Sequence, residues 1–141
     1  MKILFAVDGS DRSAVALDLL LAHVSWFREA PSITLVNVHP AIPYGRAAAW
    51  AGKEAVHQYY EEESQEVLKP AAERLAAKGI KAQTVSLVGE PAEEIARYAA
   101  EHSSDLIAMG THGRTGLSNI VLGSVATKVL AHSKVPVLLL R

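Results

Sequence analysis

Short runs of apolar residues alternate along this chain with stretches in which apolar positions recur every three or four residues. Ile3-Leu4-Phe5-Ala6-Val7 is a continuous apolar run, the pattern of a strand covered on both faces. Asp8-Gly9-Ser10 stops it, and Ser10 or Asp11 can cap a helix with Ala14, Leu17, Leu21 and Val24 on its inner face. That helix is expected to end near residues 27–29. Residues 32–39 read as a second strand that stops before Pro40. Residues 41–52, with Pro43, Gly45 and Gly52, form the least regular stretch, and the pattern is helical again over 53–78. Pro70 inside it predicts a kink or two helices there, and Gly79 a C-terminal stop.

A third strand follows over 80–88, then a helix opened by Gly89-Glu90-Pro91, with proline suited to a first helical position. A fourth strand spans 105–109, a glycine-rich stretch 110–116, a fourth helix 119–132, and a last strand 136–140. Strands separated by helical crossovers are parallel, and right-handed crossovers put helices on both faces. The expected fold is a five-stranded, doubly wound α/β sheet. Such sheets bind ligands beyond the C-terminal ends of their strands, where the strand order reverses.

Composition narrows the chemistry. At 141 residues the chain suits one domain, 1–141, large enough to bury roughly two-thirds of its unfolded surface without a staple. It has no cysteine, which removes thiol nucleophiles, redox pairs and zinc ribbons, and fits the reducing cytoplasm where the protein is expected. A formal net charge of -1 offers no basic field, and the apolar runs are too short to cross a bilayer. Neither nucleic acid nor a membrane is therefore expected as a partner.

The densest chemical signal is the stretch from Gly110 to Ser124, with glycines at 110, 113 and 116 and again at 123, in the opening turn of the fourth helix. Glycines let backbone approach a ligand closely, and a helix start presents unpaired N–H groups with a favourable dipole, so the stretch suits phosphate. Thr115, Ser118 and Ser124 add hydroxyls and Arg114 a charge. The plainer reading is a strand-to-helix connection that uses glycine for turns. No Walker pattern is present, and the first turn lacks the dinucleotide fingerprint. Asp8 and Asp11 there would repel phosphate, whereas Asp8 suits a ribose hydroxyl or an adenine amino group. A helix cap or turn acceptor is the other role open to Asp8.

On these residues the chain resembles the universal stress proteins. The resemblance runs end to end, through Val7-Asp8-Gly9-Ser10, Leu35-Val36-Asn37-Val38-His39, Gly89 and Val135-Pro136-Val137-Leu138-Leu139. The family's ATP-binding pattern, G-x2-G-x9-G-[S/T], is complete here as Gly110, Gly113, Gly123 and Ser124. The resemblance implies a Rossmann-like fold of the adenine nucleotide alpha hydrolase kind, with strand order 3-2-1-4-5. It implies Asp8 at the nucleoside, the backbone of Val38 near the adenine, and Gly110, Gly113, Gly123, Ser124 and the amide of Val125 at the phosphates. The loop residues Arg114 and Gly116 belong to the same expected site. The resemblance further implies ATP, or AMP or ADP, with Mg²⁺ or Mn²⁺, and a homodimer through the last strand, Val137–Leu140.

Other constellations are weaker. The six histidines show no metal-binding spacing, and no GxSxG elbow occurs. His39 and His112 can both face the ligand edge, and Tyr44, Arg46 and Trp50 can form a flap, pack on a second subunit or cover the sheet edge. With no P-loop lysine, catalytic base or carboxylate cluster evident, the expected function is a nucleotide-responsive regulatory dimer with at most slow ATP hydrolysis. A nucleotide-dependent hydrolase or transferase and a nucleotide-independent dimeric interaction module are the alternatives.

Overall fold

The computed structural model describes residues 1–41, 44–113 and 122–141, those at 44–51 and 53 by backbone alone. Five strands, β1 (Lys2–Ala6), β2 (Ser32–His39), β3 (Gln83–Val88), β4 (Leu106–Gly110) and β5 (Val137–Leu140), form one parallel sheet in the order β3-β2-β1-β4-β5, as expected. The helices are α1 (Asp11–Ala22), α2 (Tyr44–Ala76), α3 (Pro91–Glu101) and α4 (Ser124–His132). The chain moves from β1 toward β3 through α1 and α2, then crosses to β4 and β5 through α3 and α4. Strand order therefore reverses between β1 and β4.

Alternation along the strands divides the core in two. Ile3, Phe5, Ile33, Leu35 and Ala108 meet Leu17, Leu20, Leu68 and Leu75 of α1 and α2. Leu4, Val36, Ile107 and Met109 meet Ala92, Ile95, Ala99, Ala126 and Val129 of α3 and α4. Among the described residues no helix is long and apolar enough to cross a membrane.

Several element ends differ from the sequence expectation. The first helix stops at Ala22 rather than near 27–29, because His23 closes it and Val24–Trp26 continues as a tighter 3₁₀ turn. The stretch expected to be irregular is helical from Tyr44, and α2 leaves helical dihedrals at Gly52 (φ 77°, ψ 158°), where two helical segments meet. Pro70 stays within the helix. The burial of Leu68, Ala71 and Leu75 against the sheet holds that turn despite the hydrogen bond proline forfeits. Ile80 is not in the third strand, because its N–H closes the end of α2 on the Leu75 carbonyl (3.0 Å) after Gly79 turns at φ +74°. The fourth helix starts at Ser124, not at 119, with Gly123 extended at its N-cap (φ -68°, ψ 159°).

Candidate functional site

A cavity of about 350 Å³ opens at the C-terminal ends of β1, β2 and β4, the reversal point of the sheet. Its size falls in the range of small-molecule sites. Of the residues singled out in the sequence, Asp8, Val38, Gly110, Gly113, Gly123, Ser124 and Val125 all line it. His39 and His112 line it as well. Arg114 and Gly116 lie outside the described residues, as do Thr115, Ser118 and the side chains of Tyr44, Arg46 and Trp50.

The first turn is locally self-locked. Gly9 takes φ +78°, a left-handed conformation that glycine adopts without strain. Asp8 Oδ1 accepts from the Ser10 N–H (3.0 Å) and the Ser10 hydroxyl (2.6 Å). Ser10 Oγ in turn accepts from the Ser13 N–H (3.1 Å), capping α1, and Ser13 Oγ accepts from the Asp8 N–H (3.4 Å). The turn-acceptor role is thus real for one oxygen of Asp8. The other oxygen, Oδ2, lies over Gly113, where an added Cβ would come within 2.5 Å of it.

That contact shows what the glycine spacing does structurally. Gly113 has no Cβ because Asp8 occupies its place. A Cβ on Gly110 would come within 3.3 Å of the His112 carbonyl oxygen. Gly123 packs on the 111–113 turn, its N–H donating to the Thr111 carbonyl at 2.7 Å. A Cβ there would meet that carbonyl oxygen at 3.2 Å and the His112 Cα at 3.3 Å. The three glycines draw the turn after β4, the start of α4 and Asp8 against one another.

Three of the helices that start at this end of the sheet, α1, α3 and α4, are finished differently. α1 is capped by Ser10, and α3 by Glu90, whose carboxylate accepts from the Glu93 N–H at 3.0 Å. α4 has Gly123 at its N-cap and no side-chain cap, and its first residues, Ser124 and Val125, line the cavity. Its first N–H groups face a potential anion with the positive end of the helix dipole behind them. Glu90 Oε1 also accepts from Lys128 Nζ at 2.8 Å, tying the starts of α3 and α4 together. The Lys128 ammonium, with the Glu93 N–H, holds the Glu90 carboxyl below its usual pKa of 4.5.

The cavity walls also contain residues the motifs do not reveal. Ile95, Met109 and Pro91 make its apolar side, and Ser13 and Asn37 are buried polar members. Asn37 carried a sequence signal, an amide inside the apolar run Leu35-Val36-Asn37-Val38, since a buried polar group needs partners. Among the described residues no group of three or more His, Asp or Glu converges as a metal site.

The family model for the Universal stress protein family matches residues 1–141. Universal stress protein MJ0531 of Methanocaldococcus jannaschii is 37% identical over 141 residues, covering 99% of this chain and 81% of the relative. Universal stress protein YxiE of Bacillus subtilis is 35% identical over 153 residues, covering 99% and 98%. The solved structure of MJ0577, also from M. jannaschii, superimposes with a TM-score of 0.82 at 30% identity, covering 99% of this chain and 94% of that one. More distant solved relatives share the fold at 23%, 24% and 18% identity. They are a universal stress protein in complex with cAMP, one from Archaeoglobus fulgidus in complex with dAMP, and one from Arabidopsis thaliana with AMP bound. The fold, the strand order and these matches agree, and the chain belongs to the universal stress protein family.

Proposed function

We propose that residues 1–141 act as one adenine nucleotide-binding domain whose ligand lies in the cavity between β1 and β4. The observation that carries this reading is the open start of α4 at Gly123-Ser124-Val125, facing Asp8 across the same cavity. The phosphates sit at that helix start and the turn after β4, held by main-chain N–H groups and the Ser124 hydroxyl. Asp8 accepts from the ribose, and the backbone of Val38 meets the adenine. Arg114 and Gly116 complete the phosphate loop. The complexes of distant relatives with cAMP, dAMP and AMP support an adenine nucleotide as the ligand class.

ATP is the preferred occupant, with AMP or ADP as alternatives. Mg²⁺ or Mn²⁺ would accompany the phosphates and offset their charge, as small divalent ions do at nucleotide sites. The protein works as a regulator that changes state with its nucleotide, hydrolysing it slowly if at all, in the cytoplasm. Two copies pair through β5, an edge strand whose second side has no neighbouring strand among the described residues of one chain. Mass spectrometry of the small molecules released when the purified protein is denatured tests the reading. An adenine nucleotide is expected. No nucleotide, together with no thermal shift in ATP, ADP, AMP or cAMP, would point instead to an interaction module.

A further inference from the structure

The cavity end of β2 holds a main-chain edge that a side chain keeps open. Along a parallel strand, alternate residues turn both main-chain groups toward the same neighbour. The Val36 carbonyl accepts from Val7 N–H at 2.8 Å, on the β1 side. The His39 carbonyl accepts from Gly89 N–H at 2.8 Å, on the β3 side. Val38 is two residues from Val36 and therefore faces β1. But β1 has ended: the last register pair is Ala6 with Val36, and Gly9 turns the chain into α1.

In a continued ladder the Val7 carbonyl would accept the Val38 N–H. That bond is not made among the described residues. The Val7 carbonyl accepts instead from the Asn37 side chain, Nδ2 to O, at 2.7 Å. Asn37 is only 3% exposed and is itself held in place. Its Oδ1 accepts from the fully buried Ser64 hydroxyl of α2 at 3.2 Å, and Ser64 Oγ lies 2.6 Å from Ser86 Oγ of β3. Three elements thus fix one carboxamide against one carbonyl.

We infer that Asn37 is a positioning residue for base recognition: by taking the Val7 carbonyl it leaves the N–H and C=O of Val38 facing the cavity, a donor-acceptor edge that matches the adenine of a nucleotide. The inference rests on the nucleotide reading above and adds the source of its base preference. Adenine offers a ring acceptor beside an amino donor, which such an edge pairs with. Guanine places an oxo group and a ring N–H there and meets like against like.

Two measurements test this. In nucleotide-free protein, the Val38 amide exchanges with solvent at least about tenfold faster than the Val36 ladder amide, and slows when ATP is added. Asn37→Leu lets the Val7 carbonyl recruit the Val38 N–H, so that amide slows without nucleotide. The same variant binds ATP roughly tenfold or more weakly, the effect of about two lost hydrogen bonds, while GTP affinity is unchanged. A Val38 amide already protected in the free wild type overturns the inference. So does a variant that loses ATP and GTP affinity equally, the mark of general structural damage. Should Asn37→Leu not fold, the wild-type exchange alone decides. Should the wild type bind no nucleotide, the nucleotide reading fails, and the Val38 exchange still decides what Asn37 does.

Discussion

The two faces of the sheet are filled with different material. Against α1 and α2 the strands bury Phe5, Ile3, Leu35 and Ile33 on Leu17, Leu20, Leu68 and Leu75, all 2% exposed or less. Against α3 and α4 they meet three alanines, Ala92, Ala99 and Ala126, which let those helices come close. At the C-terminal ends of the strands that second layer opens into the cavity, walled by Ile95, Met109, Val38 and Val125. One face is packed for stability, and the other leaves room for a ligand. The same alternation of side chains along β1, β2 and β4 serves both.

The largest effect that separates the faces is expected at Phe5, fully buried on the α1/α2 side. Phe5→Ala should cost about 3–5 kcal/mol in denaturant unfolding, while the molecules that remain folded keep their nucleotide affinity. Equal loss of affinity per folded molecule would mean that the faces are not separable. Gly113→Ala should do the reverse. Its Cβ meets Asp8 Oδ2 at 2.5 Å, so either the Asp8 carboxylate or the turn after β4 must move. Affinity for ATP should fall roughly tenfold or more, that is about 1.4 kcal/mol, with the unfolding midpoint little changed. Affinity at the wild-type level would remove Asp8 and the turn from the site.

Ile95→Val tests the boundary between packing and cavity. A deleted methyl group in a core costs about 0.5–1.5 kcal/mol, and the lower end is expected here because Ile95 borders open space. A cost at the upper end would show that the α3/α4 face is packed as closely as the other. The smallest effect is expected at Glu90. Its carboxyl pKa is lowered in the folded chain, so its contribution is present above the usual value of 4.5 and fades as pH falls through the depressed one. Glu90→Gln should therefore lose a little stability at neutral pH and show a shallower acid limb than the wild type. An unchanged acid limb would mean that the pair with Lys128 does not pin α3 to α4.

What was legible in the sequence was local. The strand runs, Ser10 as a cap, Pro91 at a helix start and the Gly110, Gly113, Gly123, Ser124 spacing each lie within a few turns of chain, whereas the strand order came from the family resemblance, since crossovers alone allow more than one order. Contacts between distant segments were not legible. Nothing near Gly113 says that Asp8 fills its Cβ position, and nothing near Val7 says that Asn37 takes its carbonyl. Element ends failed where tertiary packing outweighed local preference. Pro70 stays helical because Leu68, Ala71 and Leu75 are buried around it, while the break in α2 falls at Gly52. Ile80 has strand character, yet its N–H is used to finish a helix.

Calorimetric titration of ATP and Mg²⁺ into nucleotide-free protein tests the central claim most directly. Saturable binding at one site per chain is expected, lost in Gly123→Val, whose side chain would crowd the 111–113 turn while its φ of -68° leaves the backbone unstrained. A folded protein that takes up no nucleotide at millimolar concentration, or a Gly123→Val variant that binds as the wild type does, would contradict it.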